Sequence, residues 1–142
     1  MRLQWTNLLV GYFRMRNTLF YGLLLSASVT CVHAAPVEQG QCLLVQNGKP
    51  QSERVSCDIR TGGSVGKERT SFKVGGNAIL IEKRGAVTLV GSDAKSLKDG
   101  KMYTRDYETL KVITHPKEDQ PWLYCAKQVT GKLDACYIIM EY

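Results

Sequence analysis

The chain has 142 residues, of which 44% are hydrophobic and 23% are charged, and its formal net charge is +6. This length accommodates one domain, and the basic residues alternate with acids, which argues against a nucleic-acid partner. Five cysteines in so short a chain favour an oxidising compartment, although an odd number leaves one cysteine without a disulfide partner.

The N-terminal segment has the three parts of a secretory signal peptide. Residues 15–16 form a short positive head, residues 19–29 form an apolar run, and residues 32–34 form a cleavage motif, Val-His-Ala. The apolar run is shorter than the roughly 20 residues that a membrane-spanning helix needs. We therefore expect residues 1–34 to be a signal peptide that is cleaved before Ala35, and we expect export to the periplasm or the medium.

Two features of this segment leave alternatives open. Residues 1–14 are either a long positive head or an upstream extension of a protein that starts at Met15. Cys31 follows Thr30, whereas lipoprotein processing requires Gly, Ala or Ser before the modified cysteine, so we expect Cys31 to leave with the signal. Cleavage then leaves 108 residues with 16 basic and 13 acidic side chains, a net charge of +3, and four cysteines.

Short apolar runs follow in chain order and are separated by Gly, Asn, Asp and Pro, which predicts a single all-β domain over residues 42–142. The runs cover residues 42–46, 53–59, 69–74, 77–83, 86–90, 108–114, 122–128 and 135–142. Residues 35–41 are predicted as a loose lead-in and residues 92–98 as one or two helical turns. The expected fold is a small antiparallel sandwich or barrel of about seven to eight strands.

The first pair of remaining cysteines predicts a hairpin closed by a disulfide. If Cys42 lies opposite Cys57, Leu44 faces Val55 and residues 47–52 form the connecting loop. Because side chains alternate along a strand, the two cysteines and the apolar residues then share one face.

The second pair predicts a similar hairpin. If Cys125 lies opposite Cys136, Leu123 faces Ile138, and the cysteines again share a face with large apolar residues. Four cysteines allow three connectivities, and the matched faces favour these two local bridges. In the chain-entropy account of disulfides, each bridge raises the free energy of unfolding by roughly 3 kcal/mol, because it closes a loop in the unfolded chain.

Several patterns could carry catalysis or nucleotide binding, but none is complete. Residues 62–68 (GGSVGKE) lack the first Gly and the final Ser or Thr of a phosphate-binding loop, so a loop between strands is predicted. His115 lies beside Pro116 in a charged loop, and no Gly-x-Ser-x-Gly motif accompanies it. The carboxylate pairs at residues 106/108 and 118/119 have no recognisable cleft. We expect no catalytic residue, no metal site and no cofactor.

The aromatic residues between positions 103 and 124 give a mild indication of a binding surface, because Tyr, Trp and Arg are the usual anchors at protein interfaces. The candidate interface residues are Tyr103, Arg105, Tyr107, Trp122 and Tyr124. The alternative is that Trp122 and Tyr124 are ordinary strand residues with one face buried. In the predicted register Tyr124 is the cross-strand neighbour of Tyr137.

A small, exported, disulfide-linked all-β domain without a catalytic constellation predicts a non-catalytic binding module, such as a protein inhibitor of a hydrolase. The expected partner is another envelope or extracellular protein, with no nucleic acid and no membrane span after signal removal. A net positive charge counts against an inhibitor of a strongly basic hydrolase. The rivals are a small hydrolase that uses His115 and a structural subunit that pairs through residues 135–142.

Overall fold

The computed structural model describes residues 34–141, which form ten β-strands. The strands are β1 (Val37–Gln46), β2 (Lys49–Pro50), β3 (Val55–Ser64), β4 (Lys67–Val74), β5 (Asn77–Arg84), β6 (Val87–Gly91), β7 (Lys98–Asp106), β8 (Val112–Ile113), β9 (Trp122–Gln128) and β10 (Asp134–Ile139). No helix in this part of the chain is long and apolar enough to cross a membrane. The segment assigned to the signal peptide, apart from Ala34, lies outside the described residues.

Eight of the strands close into an antiparallel barrel. They pair in the order β1-β3-β4-β5-β6-β7-β9-β10, and β10 pairs back with β1 to complete the ring. The two short strands are additions to this ring, β2 on β1 and β8 on β7. The predicted all-β class is confirmed, and closure of the ring decides for a barrel and against a sandwich.

The barrel interior is filled by one face of each strand, because successive side chains point to opposite sides of the wall. Its buried residues are Cys42, Cys57, Ile59, Phe72, Val74, Ile79, Ile81, Val90, Ala126 and Ala135. Gly40 lies where β1 passes between β3 and β10, and a side chain there would collide with the backbone oxygen of Ile138 and the side chain of Ile59.

A second, smaller core lies on the outer face of the wall that β1, β9 and β10 form. Its buried residues are Leu43, Val45, Leu123, Cys125 and Cys136, and the partly buried Tyr103, Tyr107, Leu110 and Ile138 pack against them. The consecutive apolar residues 42–45 therefore mark a strand that is covered on both faces. The outer cover comes from β7 and from the segment that follows it.

Both predicted disulfides are present, but only one of the two predicted registers is correct. Cys125 lies directly opposite Cys136 and is bonded to it, as predicted. Cys42 is bonded to Cys57, yet Cys57 faces Gly40 and Cys42 faces Val55 in the ladder. The register of this hairpin is thus displaced by two residues, and the predicted pairing of Leu44 with Val55 is wrong.

The displacement arises from a tight turn at Asn47 and Gly48. Both residues have positive φ angles, 51° and 76°, which suit a two-residue hairpin turn. The turn returns the chain at once, so that Lys49 and Pro50 pair with the end of β1 as β2. Residues 51–54 then carry the chain to β3, and only part of the predicted loop remains a loop.

Two further segments have a different secondary structure from the one predicted. Residues 37–41, predicted as a loose lead-in, form the first half of β1 because β3 and β10 provide hydrogen-bonding partners on both sides. Residues 92–98, predicted as helical, form a turn that leads into β7. In this turn the Asp93 Oδ1 atom accepts hydrogen bonds from the backbone N–H groups of Lys95 and Ser96, which competes with helix formation.

The sequence pattern does not predict the strand β7, because its sequence, KDGKMYTRD, is polar and contains a glycine. It is a strand because β9 pairs with it over seven residue pairs. Conversely, most of residues 108–114, predicted as a strand, form a turn, and only Val112–Ile113 form β8. Tertiary pairing, rather than local pattern, determines both segments.

Candidate functional site

Four aromatic side chains form a row that runs from the barrel core to the surface. The ring centroids of Phe72 and Tyr137 are 5.4 Å apart, those of Tyr137 and Tyr124 are 5.8 Å apart, and those of Tyr124 and Trp122 are 6.3 Å apart. Phe72 is 3% exposed, whereas Tyr124 is 45% exposed. The cross-strand pairing of Tyr124 with Tyr137 is confirmed, and the outer end of the row is open to a partner.

The outer end of this row borders a shallow hollow of about 420 Å³. The hollow is lined by residues 118–121 together with Trp122, Tyr124 and Ile138, and the side chains of Glu118 and Asp119 are exposed on it. We call Glu118, Asp119, Trp122, Tyr124 and Ile138 the aromatic patch. Aromatic faces beside carboxylates suit a partner that offers a cation next to an apolar group.

The loop that carries the acidic side of the patch is fastened by the buried carboxylate of Asp106. Its Oδ1 atom accepts hydrogen bonds from the backbone N–H of Thr109 at 2.6 Å and from the Thr109 hydroxyl at 2.8 Å, and its Oδ2 atom accepts one from the Gln120 amide. These bonds, led by that from the Thr109 backbone, hold the pKa of Asp106 below its usual 3.8. The loop that carries Glu118 and Asp119 is therefore held in place by Asp106.

Arg105 and Tyr107 make internal contacts away from the patch. Arg105 is 4% exposed, and its guanidinium donates hydrogen bonds to the backbone oxygens of Leu110 at 2.7 Å and Gly48 at 3.0 Å. The guanidinium carbon of Arg54 lies 3.8 Å from the ring centroid of Tyr107, which covers that ring. Both predicted interface residues are committed to internal contacts, so they hold two loops on the barrel and do not face a partner.

Tyr103 has a comparable internal role. Its hydroxyl donates a hydrogen bond of 2.6 Å to Asp134 Oδ1 at the edge of the outer core. Burial, together with this bond, raises the pKa of Tyr103 to about 12, and burial also raises the pKa of Asp134. Of the five predicted interface residues, the structure brings Trp122 and Tyr124 together on the surface and places the other three in supporting positions.

The remaining sequence candidates are not assembled into a reactive group. His115 is exposed, and within residues 34–141 its ring makes no hydrogen bond to a serine or a carboxylate. The pair at residues 106/108 is divided, because Asp106 is buried by its loop contacts while Glu108 is exposed. In the described part of the chain, no three or more His, Cys, Asp or Glu side chains group as metal ligands.

The glycine-rich segment at residues 62–68, predicted as a loop, is mostly strand: residues 62–64 end β3, residues 67–68 begin β4, and only residues 65–66 form the turn between them. Gly63 pairs with Glu68 and Ser64 pairs with Lys67 across the turn. The segment opens no helix, so it lacks the helix N-terminus on which phosphate-binding loops of this type place their ligand.

The chain thus folds into a small closed barrel with a second core outside its wall, and the aromatic patch lies on its surface. Comparison of the chain with protein-family models, with curated protein sequences and with solved structures found no match. The sequence pattern indicated Trp122 and Tyr124 as interface candidates. It did not indicate that Asp106 and Gln120 hold the adjacent loop in place.

Proposed function

We propose that this protein is an exported, non-catalytic binding module and that the aromatic patch is its contact surface. The observation that carries the proposal is the outer end of the aromatic row, where the half-buried Trp122 and the exposed Tyr124 lie beside a hollow. Large aromatic side chains that are already held in place lose little conformational entropy when they are buried against a partner. The contact of Asp106 with Gln120 orders the loop beside these aromatic residues before binding.

Export is part of the proposal and is supported by the disulfides. The bridges Cys42–Cys57 and Cys125–Cys136 are both compatible with a compartment that oxidises thiols. Disulfides of this kind are rare in reducing compartments, where glutathione and thioredoxin keep cysteines reduced. A periplasmic or secreted location therefore suits the covalent structure of the domain.

The partner that we propose is another envelope or extracellular protein, and inhibition of a hydrolase is the specific case. In that case Trp122 and Tyr124 would occupy an apolar subsite, and Glu118 and Asp119 would face a cation at its edge. The patch is acidic although the 108 residues left by signal cleavage carry a net charge of +3, so the patch suits a basic cleft better than that net charge indicates.

Both rival functions have weaker structural support. A hydrolase that uses His115 would need a nucleophile or a carboxylate to orient the ring, and within residues 34–141 the His115 ring makes no hydrogen bond to either. A structural subunit that pairs through its last strand would need a free strand edge, whereas β10 is paired with β9 on one side and with β1 on the other.

The test is capture of a partner from envelope and culture-medium extracts with matched variants. The oxidised protein, the Trp122→Ala/Tyr124→Ala variant and a control variant, Val112→Ala/Val129→Ala, are used as baits. The control removes exposed apolar side chains that lie outside the patch. We expect one stoichiometric protein to be retained by the parent and the control, and truncation of an anchor to cost roughly 2 kcal/mol or more of binding free energy.

Thermal unfolding of each bait separates lost binding from lost folding. Equal retention of the partner by a folded Trp122→Ala/Tyr124→Ala variant would exclude the aromatic patch as the contact surface. His115→Ala is expected to bind as the parent does, with a stability change below about 0.5 kcal/mol. Loss of a hydrolytic activity in a folded His115→Ala variant would contradict the proposal of a non-catalytic binding module and would support the hydrolase.

A further inference from the structure

Three cationic side chains on β4 and β5 surround the carboxylate of Glu82. In the ring of strands, β4 lies across from β9. Glu82 points outward from β5, yet its side chain is fully buried. Arg69 Nε lies 2.6 Å from Glu82 Oε2, Arg84 Nε bonds Oε1, and Lys67 Nζ is 3.7 Å from Oε1. We call Lys67, Arg69 and Arg84 the cation cluster.

The cation cluster keeps a surplus of positive charge and of hydrogen-bond donors. Burial alone would raise the pKa of Glu82, but the hydrogen bonds from Arg69 and Arg84 outweigh it and hold that pKa below its usual 4.5. One carboxylate thus neutralises one of three charges at neutral pH. Both arginines bind it through Nε, and within residues 34–141 their Nη groups make no other hydrogen bond.

A groove of about 880 Å³, lined by both polar and apolar side chains, lies on the outer face of β3, β4 and β5. Arg60 and Lys73 add two cations to its lining, and Ser56, Ser71 and Ser92 add three hydroxyl groups. Ser71 follows Arg69 on the same face of β4, because side chains two residues apart point to the same side. Ser71, at the edge of the groove, is therefore the neighbour of Arg69 in the cluster on the outer face of β4.

The acids beside this surface are already engaged by internal contacts. Asp58 accepts a hydrogen bond of 2.7 Å from the side-chain amide of Gln39. Asp93 Oδ1 accepts bonds from the backbone N–H groups of Lys95 and Ser96, and these bonds lower the pKa of Asp93. These bonds come from uncharged donors and leave both carboxylates negative, so Asp58 and Asp93 offset the charges of Arg60 and Lys73 in the groove, and the surplus positive charge of the surface lies at the cation cluster.

We propose that the cation cluster and the groove bind an anionic oligosaccharide, whose sulfate or phosphate groups contact the cluster and whose hydroxyls contact the serines. Guanidinium groups present a planar fork of donors that matches tetrahedral oxyanions. Serine hydroxyls both donate and accept hydrogen bonds, as sugar hydroxyls do. We expect this binding to be independent of the aromatic patch, because the two surfaces share no residue.

The binding test uses the purified, oxidised protein and dextran sulfate as the probe, with calorimetry at low and at moderate salt. Neutral dextran of the same length and poly-glutamate of the same charge are the comparison ligands. We expect dextran sulfate to bind most tightly, and we expect its affinity to fall as salt rises because bound counterions are released. Equal binding of neutral dextran, or equal or tighter binding of poly-glutamate, would overturn the assignment of an anionic sugar.

Charge-matched variants locate the site. Lys67→Gln/Arg69→Gln/Arg84→Gln is expected to weaken dextran sulfate binding by about tenfold or more, because bonds to charged groups are lost. The control, in which the three exposed lysines 98, 101 and 111 become glutamine, removes the same charge from other surfaces and is expected to change affinity by less than about twofold. An equal loss in this control would overturn the proposed location.

A second variant protects the test from a folding defect, since the triple change leaves Glu82 buried without its cations. Arg60→Gln/Lys73→Gln removes groove cations that make no contact with Glu82, and its melting temperature is expected to match the parent. Its affinity for dextran sulfate is expected to fall by about threefold or more. Unchanged affinity of this folded variant would overturn the role of the groove, whereas Trp122→Ala/Tyr124→Ala is expected to bind the probe normally.

Discussion

Glu82 and Asp106 are both buried carboxylates, and the groups that surround them decide what each can do. Glu82 is neutralised by cationic side chains that remain partly exposed, so it organises a surface. Asp106 is held by uncharged donors, namely the backbone and hydroxyl of Thr109 and the amide of Gln120, so it organises a loop. In both cases hydrogen bonding to the ionised form outweighs the cost of burial and lowers the pKa.

Replacement of Asp106 by asparagine tests the loop support at the residue scale. The folded pKa of Asp106 lies below its unfolded value, so its stabilising effect is present above the unfolded pKa of about 3.9 and is lost as pH falls through the folded pKa. Asp106→Asn is therefore expected to lower the melting temperature at pH 7. The difference from the parent is expected to narrow below about pH 4.

Glu108→Gln is the matched control for this prediction, because it removes the same charge two residues away from an exposed side chain. It is expected to leave the melting temperature unchanged at pH 7. Melting curves of the parent and both variants between pH 2 and pH 8, a range spanning about six pH units around the carboxyl pKa values, decide the matter. A pH-independent difference for Asp106→Asn would mean that its charge is not the stabilising feature.

At the scale of elements, the two disulfides join neighbouring strands in different ways. Cys125 and Cys136 are directly opposite in the β9–β10 ladder and lie in the outer core. Cys42 and Cys57 are offset by two residues in the β1–β3 ladder and lie in the barrel interior. One bridge therefore lies within each core.

Replacement of either cysteine pair by alanine is expected to have a similar effect on stability. The bridges span 11 and 15 residues, and loops of this length are worth about 3 kcal/mol each in the chain-entropy account. Urea unfolding of Cys42→Ala/Cys57→Ala and Cys125→Ala/Cys136→Ala, without reductant, measures both effects. A loss below about 1 kcal/mol for either pair would show that the entropic account fails for that hairpin.

At the scale of the whole molecule, the ring of strands is closed but is not uniform. β7 pairs with β9 over seven residue pairs, and the first and last strands of the ring pair over five. β6 and β7 pair over only two residue pairs, Leu89 with Asp99 and Val90 with Lys98. The β6–β7 seam has the fewest ladder hydrogen bonds in the ring, so we expect the barrel to open there first.

Native-state hydrogen exchange tests the order of opening. Amides at Leu89–Val90 are expected to exchange through a smaller opening free energy than amides at Cys42–Leu44, because the β6–β7 ladder has two residue pairs, whereas β1 has five pairs with β10 and six with β3. Measurement at increasing urea concentration separates local opening from global unfolding. Equal opening free energies for the two segments would indicate that the barrel opens as one unit.

The amino-acid sequence by itself determined the features that depend on local pattern. Alternating apolar runs with Gly and Asn between them predicted an all-β domain, and cysteines placed on matching faces predicted both disulfides. It also indicated Trp122 and Tyr124, because large aromatic residues next to a charged loop are visible without a structure. These signals are local, since a strand and its turn are encoded by neighbouring residues.

Only the tertiary structure decided the closure of the barrel, the strand β7, the register at Cys42 and the cation cluster. β7 has no apolar pattern and becomes a strand through its pairing with β9. Glu82 and Arg69 are distant in sequence and meet because β4 and β5 pair in one register. Such features depend on pairing between segments, and a slip of one residue would turn every side chain of a strand to the other face.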